Sequence, residues 1–401
     1  MSPRARFSPI NLLVVIVQLA IVCSACDAKP PQGIPVHAWF SIPPAFSTPE
    51  HYRELAGAGF STSFTMGFEN VSEALKALDA ANETGVKLFV HCPDLLTNCE
   101  ETVKKLCKHP ALAGYHLQDE PSAAAFAGLA AWQQKINAVD ADHPCYINLF
   151  PNVSNARLGT DGYAKYVEQF VQTISVPFIS FDYYPTKFGK LEADVFTNLE
   201  IISSAARKAK KPFWGFYQAV LWNTMPPRTL AKLRLESFIN LAYGAQCIQV
   251  FTYWLPPPNG DEKFHDAPIS MDGKRTPVYD LVKQTNGEIR ALSRVFLDAS
   301  VVKVSHAGKA MEPQTTAFTP EAPIQSLDVA DGNALVSLLK NGKSDYVVIV
   351  NKDILASLKL KIRFTDIAKM LEIRKDGTDR PVTAPDFTIE PGDILIFQVR
   401  P

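Results

Sequence analysis

The 401-residue sequence carries almost no excess charge: 40 lysines and arginines stand against 41 aspartates and glutamates, a formal net charge of −1. No block of basic residues breaks that balance, so the electrostatic footprint of a nucleic-acid-binding protein is missing. Cysteine is sparse, seven in all. Cys92, Cys145 and Cys247 fall in runs that read as strands and are expected to be buried small apolar residues. Cys99 and Cys107 flank a helix-like stretch, and on one helix they would lie about 12 Å apart from the rise alone, too far to bridge. With His91 and His109 they match no zinc-ligand spacing, so neither metal nor cofactor is expected. No glycine-rich phosphate loop follows the first strand, which argues against dinucleotide binding. The Gly-x-Ser-x-Gly turn of a barrel esterase and the calcium-ligand run of a lyase are equally missing.

The chain also has no apolar run long enough to cross a bilayer. Arg4 and Arg6 precede the apolar segment Leu12 to Val22, which is short enough to read as the core of a signal peptide spanning residues 1–25. Small residues before Cys26, in Cys23-Ser-Ala-Cys26-Asp27, resemble a bacterial lipoprotein signal. The expectation is an exported bacterial protein of the cell envelope, periplasmic or at the surface, held to the membrane by a lipid on Cys26. Residues 26–33, rich in proline, read as a short tether.

What the sequence does contain is a regular alternation. Strand-like runs at Val36–Ser41, Phe60–Met66, Val86–Cys92, Ala113–Gln118, Cys145–Phe150, Phe178–Tyr183, Phe213–Gln218 and Cys247–Trp254 are separated by stretches with apolar residues at helical spacing. Eight such units fill the roughly 250 residues of a (β/α)8 TIM barrel, here residues 34–298. With 47% hydrophobic and 20% charged residues there is ample apolar side chain for a core of that size. From residue 299 to 401 alternating and β-branched runs separated by Asp-Gly, Asn-Gly and Pro-Gly turns predict a small all-β domain, a sandwich, whose expected role is to pack on the barrel.

The most informative segment is Gly114-Tyr-His-Leu-Gln-Asp-Glu-Pro121, a strand that ends in two adjacent carboxylates. In a barrel enzyme the carboxyl ends of the strands carry the chemistry. Asp119-Glu120-Pro121 on the fourth strand, Phe181-Asp182-Tyr-Tyr-Pro185 on the sixth and Phe251-Thr-Tyr-Trp254 on the eighth resemble the (β/α)8-barrel glycoside hydrolases of exported bacterial proteins, which often add a C-terminal β domain. That resemblance implies a glycosidase in which Glu120 is the general acid/base. It also carries two departures. Asp119 stands where the retaining barrel glycosidases usually have Asn, and the seventh strand offers Gln218 where they place a nucleophilic Glu. The next glutamate, Glu236, lies in a helix and reads as a solvated surface residue.

Three readings remain open. Asp119 orients a substrate 2-acetamido group that attacks the anomeric carbon, as in hexosaminidases that act through the substrate; or Asp182 supplies the second carboxylate; or the barrel binds a glycan without cleaving it, as a lipid-anchored binding protein. Asp119 would equally suit a helix cap before Pro121, and Asp182 an ordinary hydrogen bond at the mouth. Oligosaccharide or polysaccharide is the expected partner. Trp39, Tyr184, Tyr253 and Trp254 are candidate platforms for sugar rings. Asn148 and Gln218 are candidate partners for hydroxyls, with His91 and Asp94 as lesser ones. His116 falls on the face of Glu120 by two-residue counting, where it would tune that group or fill a layer of the barrel. A long loop after Trp254, through His265 and Asp266, is placed to cover the site.

Overall fold

The computed structural model describes residues 33–400 apart from 187 and 259. The signal segment, Cys26 and nearly all of the tether lie outside the described residues. Eight parallel strands close into a barrel: β1 (Val36–Trp39), β2 (Thr62–Phe64), β3 (Lys87–Val90), β4 (Leu112–Asp119), β5 (Cys145–Leu149), β6 (Ile179–Phe181), β7 (Phe213–Gln218) and β8 (Cys247–Phe251). Each lies within or overlaps one of the eight runs marked out above, and β8 returns to pair with β1. The sequence-level TIM barrel is therefore the observed fold.

Its interior is unusual in content. Barrel cores are ordinarily layered with Val, Ile and Leu, whereas Trp39, Phe64, Phe89, Tyr146, Phe178 and Phe216 form one buried aromatic cluster here. Trp214 joins it, its ring stacked on Phe178 with centroids 3.6 Å apart. Such large rings leave no room elsewhere. At Gly114, with φ of +157°, an added Cβ would lie 2.3 Å from the Pro144 carbonyl oxygen and 2.7 Å from the Phe89 ring, so β4 needs glycine at this point.

The C-terminal domain is a sandwich of two antiparallel sheets. Its strands are β9 (Ser300–Gly308), β10 (Ile324–Asp331), β11 (Asn333–Asn341), β12 (Ser344–Asn351), β13 (Leu358–Phe364), β14 (Met370–Ile373), β15 (Asp379–Pro381), β16 (Asp386–Ile389) and β17 (Ile394–Val399). One sheet runs β9-β11-β12-β17-β14-β15, the other β10-β13-β16. The two sheets read differently in sequence because of what they face. Strand β13, Leu-Lys-Leu-Lys-Ile-Arg-Phe, alternates buried and exposed along its whole length, as an outer sheet should. Strand β12 has the continuous run Tyr346-Val-Val-Ile-Val350, buried on both faces. Val347 and Ile349 enter the sandwich core. Tyr346, Val348 and Val350 enter the core of the barrel.

Helix Leu230–Ala242 sits at this junction and is buried on almost every side. That corrects the reading of Glu236 as a solvated residue. Covered by strands and by the β domain, the helix has no wet face there, and Glu236 is fully buried in an ion pair with Arg228 at 2.8 Å. It also accepts hydrogen bonds from the Thr186 hydroxyl and, at 2.7 Å, from the Gln218 backbone N–H. A buried carboxylate persists only with such partners.

A second buried polar group joins the domains. His306 of β9 lies 3.1 Å from the Tyr243 hydroxyl through Nε2 and 3.1 Å from both Lys352 Nζ and Glu312 through Nδ1. Lys352 pairs with Glu312 at 2.5 Å, and Tyr243 also donates to Glu200 at 2.9 Å.

Candidate active site

Strand β4 carries a bulge where it pairs with β5. His116 lies opposite Tyr146, Gln118 opposite Ile147 and Asp119 opposite Asn148, so three residues on β4 span the distance of two on β5. The irregularity resets the alternation of side chains. Two-residue counting from His116 therefore fails: Asp119, rather than Gln118, faces inward with Asn148. Glu120 follows at φ +45°, a left-handed conformation rare for a non-glycine residue, and its N–H is held by the Asn148 carbonyl at 2.8 Å. Backbone strain of this kind gathers at functional sites because only a surrounding framework can hold it.

Asp119 caps no helix: the short helix that follows starts at Ala123 with Ser122 before it. Instead its Oδ1 accepts from Asn148 Nδ2 at 3.2 Å, and the same amide donates to Asp182 Oδ1 at 2.9 Å. Asp182, just beyond β6, also hydrogen-bonds the Tyr184 hydroxyl. Asn148 is fixed from behind by the Ser180 hydroxyl at 2.8 Å, and Ser180 in turn accepts from Gln249 at 2.8 Å. Gln249 accepts from the Tyr146 hydroxyl, which completes a network across four strands. Ser180 and Gln249 escaped sequence reasoning. Their signal was a polar residue at an interior position of an otherwise apolar strand.

Three carboxylates thus converge on one mouth, and their acidities respond. Burial, then the charge of Asp182, pushes Asp119 up to about 7. Burial also raises Glu120 well above the usual carboxylate range, reinforced by Asp182 and Asp119 and opposed by Arg157. Burial raises Asp182 as well, against the hydrogen bonds from Asn148 and Tyr184. A carboxyl kept protonated near neutral pH is what a general acid requires.

The aromatic wall of the mouth differs from expectation. Tyr184 stacks on Phe251 with centroids 5.2 Å apart and stands 5.9 Å from Trp222. Trp222 and Phe264 lie 6.4 Å apart on two short strands, Leu221–Trp222 and Phe264–His265, that pair antiparallel. These strands tie the loop after β7 to the long loop after β8, with His265 Nε2 2.9 Å from the Asn223 carbonyl. Trp222 was missed because it lies beyond the apparent end of its strand.

Several candidate contacts are core residues instead. Tyr253 is fully buried against Phe60, and Trp254, 1% exposed, packs on Phe46 and His51. These contacts seal both rings from solvent, so neither offers a face to a sugar. Trp39 is 3% exposed inside the aromatic plug. His116 is sealed beside it, 5.3 Å from Trp39 and 4.2 Å from Phe64 between ring centroids, and burial holds its imidazole neutral. Gln218 spends its amide on the Val220 carbonyl at 2.7 Å. Asp94 accepts from the Val71 N–H at 2.8 Å, a structural bond. His91 binds the His116 carbonyl at 3.0 Å.

With this geometry in hand, likenesses to other proteins gain meaning. Residues 133–292 match the glycoside hydrolase 42 family model, described as Beta-galactosidase. None of the curated proteins matches the sequence. Among solved structures, a beta-galactosidase from Bacillus circulans sp. alkalophilus aligns over 93% of this chain and 99% of its own, at 10% identity and a TM-score of 0.60. An alpha-amylase from Geobacillus thermoleovorans aligns over 92% of this chain and 98% of its own, at 9% identity and a TM-score of 0.57. A beta-galactosidase from the psychrophilic Marinomonas ef1 aligns over 64% of this chain at 11% identity and a TM-score of 0.50, so the match spans only 60% of that enzyme's length. In its family match and in its two-domain architecture, the chain resembles the (β/α)8-barrel glycoside hydrolases that carry a C-terminal β-sandwich domain.

Proposed function

We propose that the protein hydrolyses a glycosidic bond, with Glu120 as general acid and then base. The observation that carries this reading is the convergence of Glu120, Asp119 and Asp182 on one barrel mouth, with Asn148 bridging the two aspartates. The family match over residues 133–292 supports the reaction class.

The finer mechanism must work without a glutamate at the end of β7, because Gln218 is an amide, its nitrogen donated to the Val220 carbonyl, and cannot act as a glycosyl nucleophile. A substrate-assisted route fits that constraint. Glu120 gives its proton to the leaving oxygen as the glycosidic C–O bond breaks, and the carbonyl oxygen of a substrate 2-acetamido group bonds to the anomeric carbon. Asp119, held by Asn148, accepts the acetamido N–H, and the charge of Asp182, held by Asn148 and Tyr184, helps balance the positive charge of the cyclic intermediate. Water then attacks the anomeric carbon, Glu120 takes its proton, and the ring opens to the free sugar. Asp182 offers a second route as a nucleophile or water-activating base, favoured by its own place at the mouth beside Asn148.

The test is a panel of aryl glycosides with and without a 2-acetamido group, run on the wild type, Glu120→Gln, Asp119→Asn and Asp182→Asn. Cleavage confined to acetamido sugars and lost in all three variants supports the assisted route. Cleavage of plain glycosides lost with Asp182→Asn but kept with Asp119→Asn supports the second. No cleavage of any glycoside, with oligosaccharide still bound by Glu120→Gln, leaves a glycan-binding protein and sinks the hydrolase reading.

An envelope location also belongs to this proposal. It rests on the apolar segment Leu12 to Val22 and on Cys26. Membrane fractionation of a Cys26→Ala variant tests it, and equal membrane retention of variant and wild type would overturn the lipid anchor.

A further inference from the structure

Glu120 stands among negative charge. Asp119 from β4, Asp182 beyond β6 and Glu262 from the loop after β8 all act on it, and each favours the protonated form. The hydroxyls of Tyr163, Tyr166 and Tyr184 lie in the same field, and burial keeps all three neutral. Against these stands Arg157, whose Nη1 is 3.8 Å from Glu120 Oε2.

Arg157 reaches that position by more than its own flexible stem. It sits on the one-turn helix Asn155–Leu158 after β5, which stops at Gly159 with φ of +72°. This turn packs on the chain just past Glu120: a Cβ added at Gly159 would come within 3.6 Å of the Ala123 nitrogen and 3.8 Å of Ser122. The neighbouring helix Tyr163–Thr173 fixes the same chain, since the Tyr166 hydroxyl donates to the Pro121 carbonyl at 2.7 Å. The guanidinium itself lies over the buried Phe150 ring, 4.3 Å from its centroid. A planar cation over an aromatic face is attracted there and loses rotational freedom, which a lysine ammonium would keep.

We propose that Arg157 is a positioning residue for Glu120: anchored on Phe150, its guanidinium holds the Glu120 carboxyl at the barrel mouth and offsets the negative charge around it, so that one group serves first as acid and then as base. The proposal rests on the hydrolase reading and deepens it. A group that must give a proton in one step and take one in the next works best when neither form is held too tightly. Three carboxylates with no cation would lock the proton on. Arg157 restores the balance from the solvent side, where its side chain is 66% exposed and can let a sugar pass.

The experiment is a pH titration of the carboxyl groups by isotope-edited infrared spectroscopy on the folded protein, labelled at glutamate. Subtraction of the Glu120→Gln spectrum isolates the Glu120 band. Removing the charge with Arg157→Gln is expected to raise the Glu120 midpoint by on the order of half a pH unit, the scale of a partly exposed ion pair. Arg157→Lys, which keeps the charge but not the stacking on Phe150, is expected to return only part of that shift. An unchanged or lowered midpoint in Arg157→Gln, with an unaltered circular dichroism spectrum, overturns the proposal. In a cleaving wild type the alkaline limb of the kcat/KM profile moves upward with the same variant. If the wild type cleaves no glycoside, the midpoint comparison still decides the role of Arg157, so the two readings fail separately.

Discussion

Asn148 donates the same side-chain nitrogen that touches Asp119 to Asp182 Oδ1, at 2.9 Å. A single amide thus holds two carboxylates that would otherwise repel. Replacing it with Ala removes the donor and leaves the pair facing each other. Turnover is expected to fall roughly 100-fold, the scale of losing one placed donor at a developing charge. Steady-state kinetics on a cleaved aryl glycoside would decide this, and activity within threefold of wild type would mean the bridge is ornamental to catalysis.

Glu120→Gln keeps the shape of the side chain but cannot exchange a proton. The expected loss is about 10²- to 10⁴-fold in kcat on substrates with poor leaving groups, and much less on aryl glycosides whose leaving group needs no proton. A uniform loss across leaving groups would argue that Glu120 binds without acting as an acid.

Asp119 makes a prediction about pH and stability. Its folded-state acidity lies near 7 against an ordinary value of 3.8. The folded protein therefore binds this proton more tightly than the unfolded chain does. The contribution is fully present below pH 3.8 and is lost as pH rises through 7. Asp119→Asn, which mimics the protonated form, should raise Tm at pH 8 by roughly 2–4 °C and leave it unchanged near pH 3.5. Differential scanning calorimetry at the two pH values checks both halves of that statement.

Glu312 runs the other way. Burial works against its charge, but hydrogen bonds from His306 and Lys352 prevail and hold it down at about 2, against an ordinary 4.5. Its stabilising contribution is present above pH 4.5 and is lost as pH falls through 2. Glu312→Gln would leave Lys352, whose side chain is 2% exposed, without its counter-charge. A loss of about 3–5 kcal/mol is expected, as for other broken buried pairs. Urea unfolding monitored on both domains measures it.

The barrel was legible because its eight strands announce themselves as short apolar runs at near-regular spacing, and β4 ends in carboxylates wherever its exact bounds fall. The sandwich was legible through its turns, although β10, whose Gln325, Ser326 and Asp328 face solvent, shows only a weak alternation. Of the candidate site, Asp119, Glu120, Asp182, Asn148 and Tyr184 could be marked out from the sequence as residues at or just beyond strand ends, and the structure brings them together. It was illegible where side-chain direction depends on one irregular residue. The bulge in β4 misplaced His116, and packing on Phe60, Phe46 and His51 buries Tyr253 and Trp254. Arg157 and Trp222 gave no signal, because each reaches the mouth from a loop whose position only the closed barrel determines. Glu236 misled for a related reason: helical spacing reveals a helix, not how many of its sides a second domain will cover.

The two-sided burial of β12 has a practical corollary. Val347 and Ile349 look one way and Val348 and Val350 the other, so this strand is simultaneously the floor of one domain and the outer wall of its neighbour. Anyone wishing to express the barrel alone, or to graft the sandwich elsewhere, would be cutting through shared interior. The excised barrel would present a greasy scar where the sheet had lain and would tend to clump. The smallest useful unit of this molecule is accordingly both domains together.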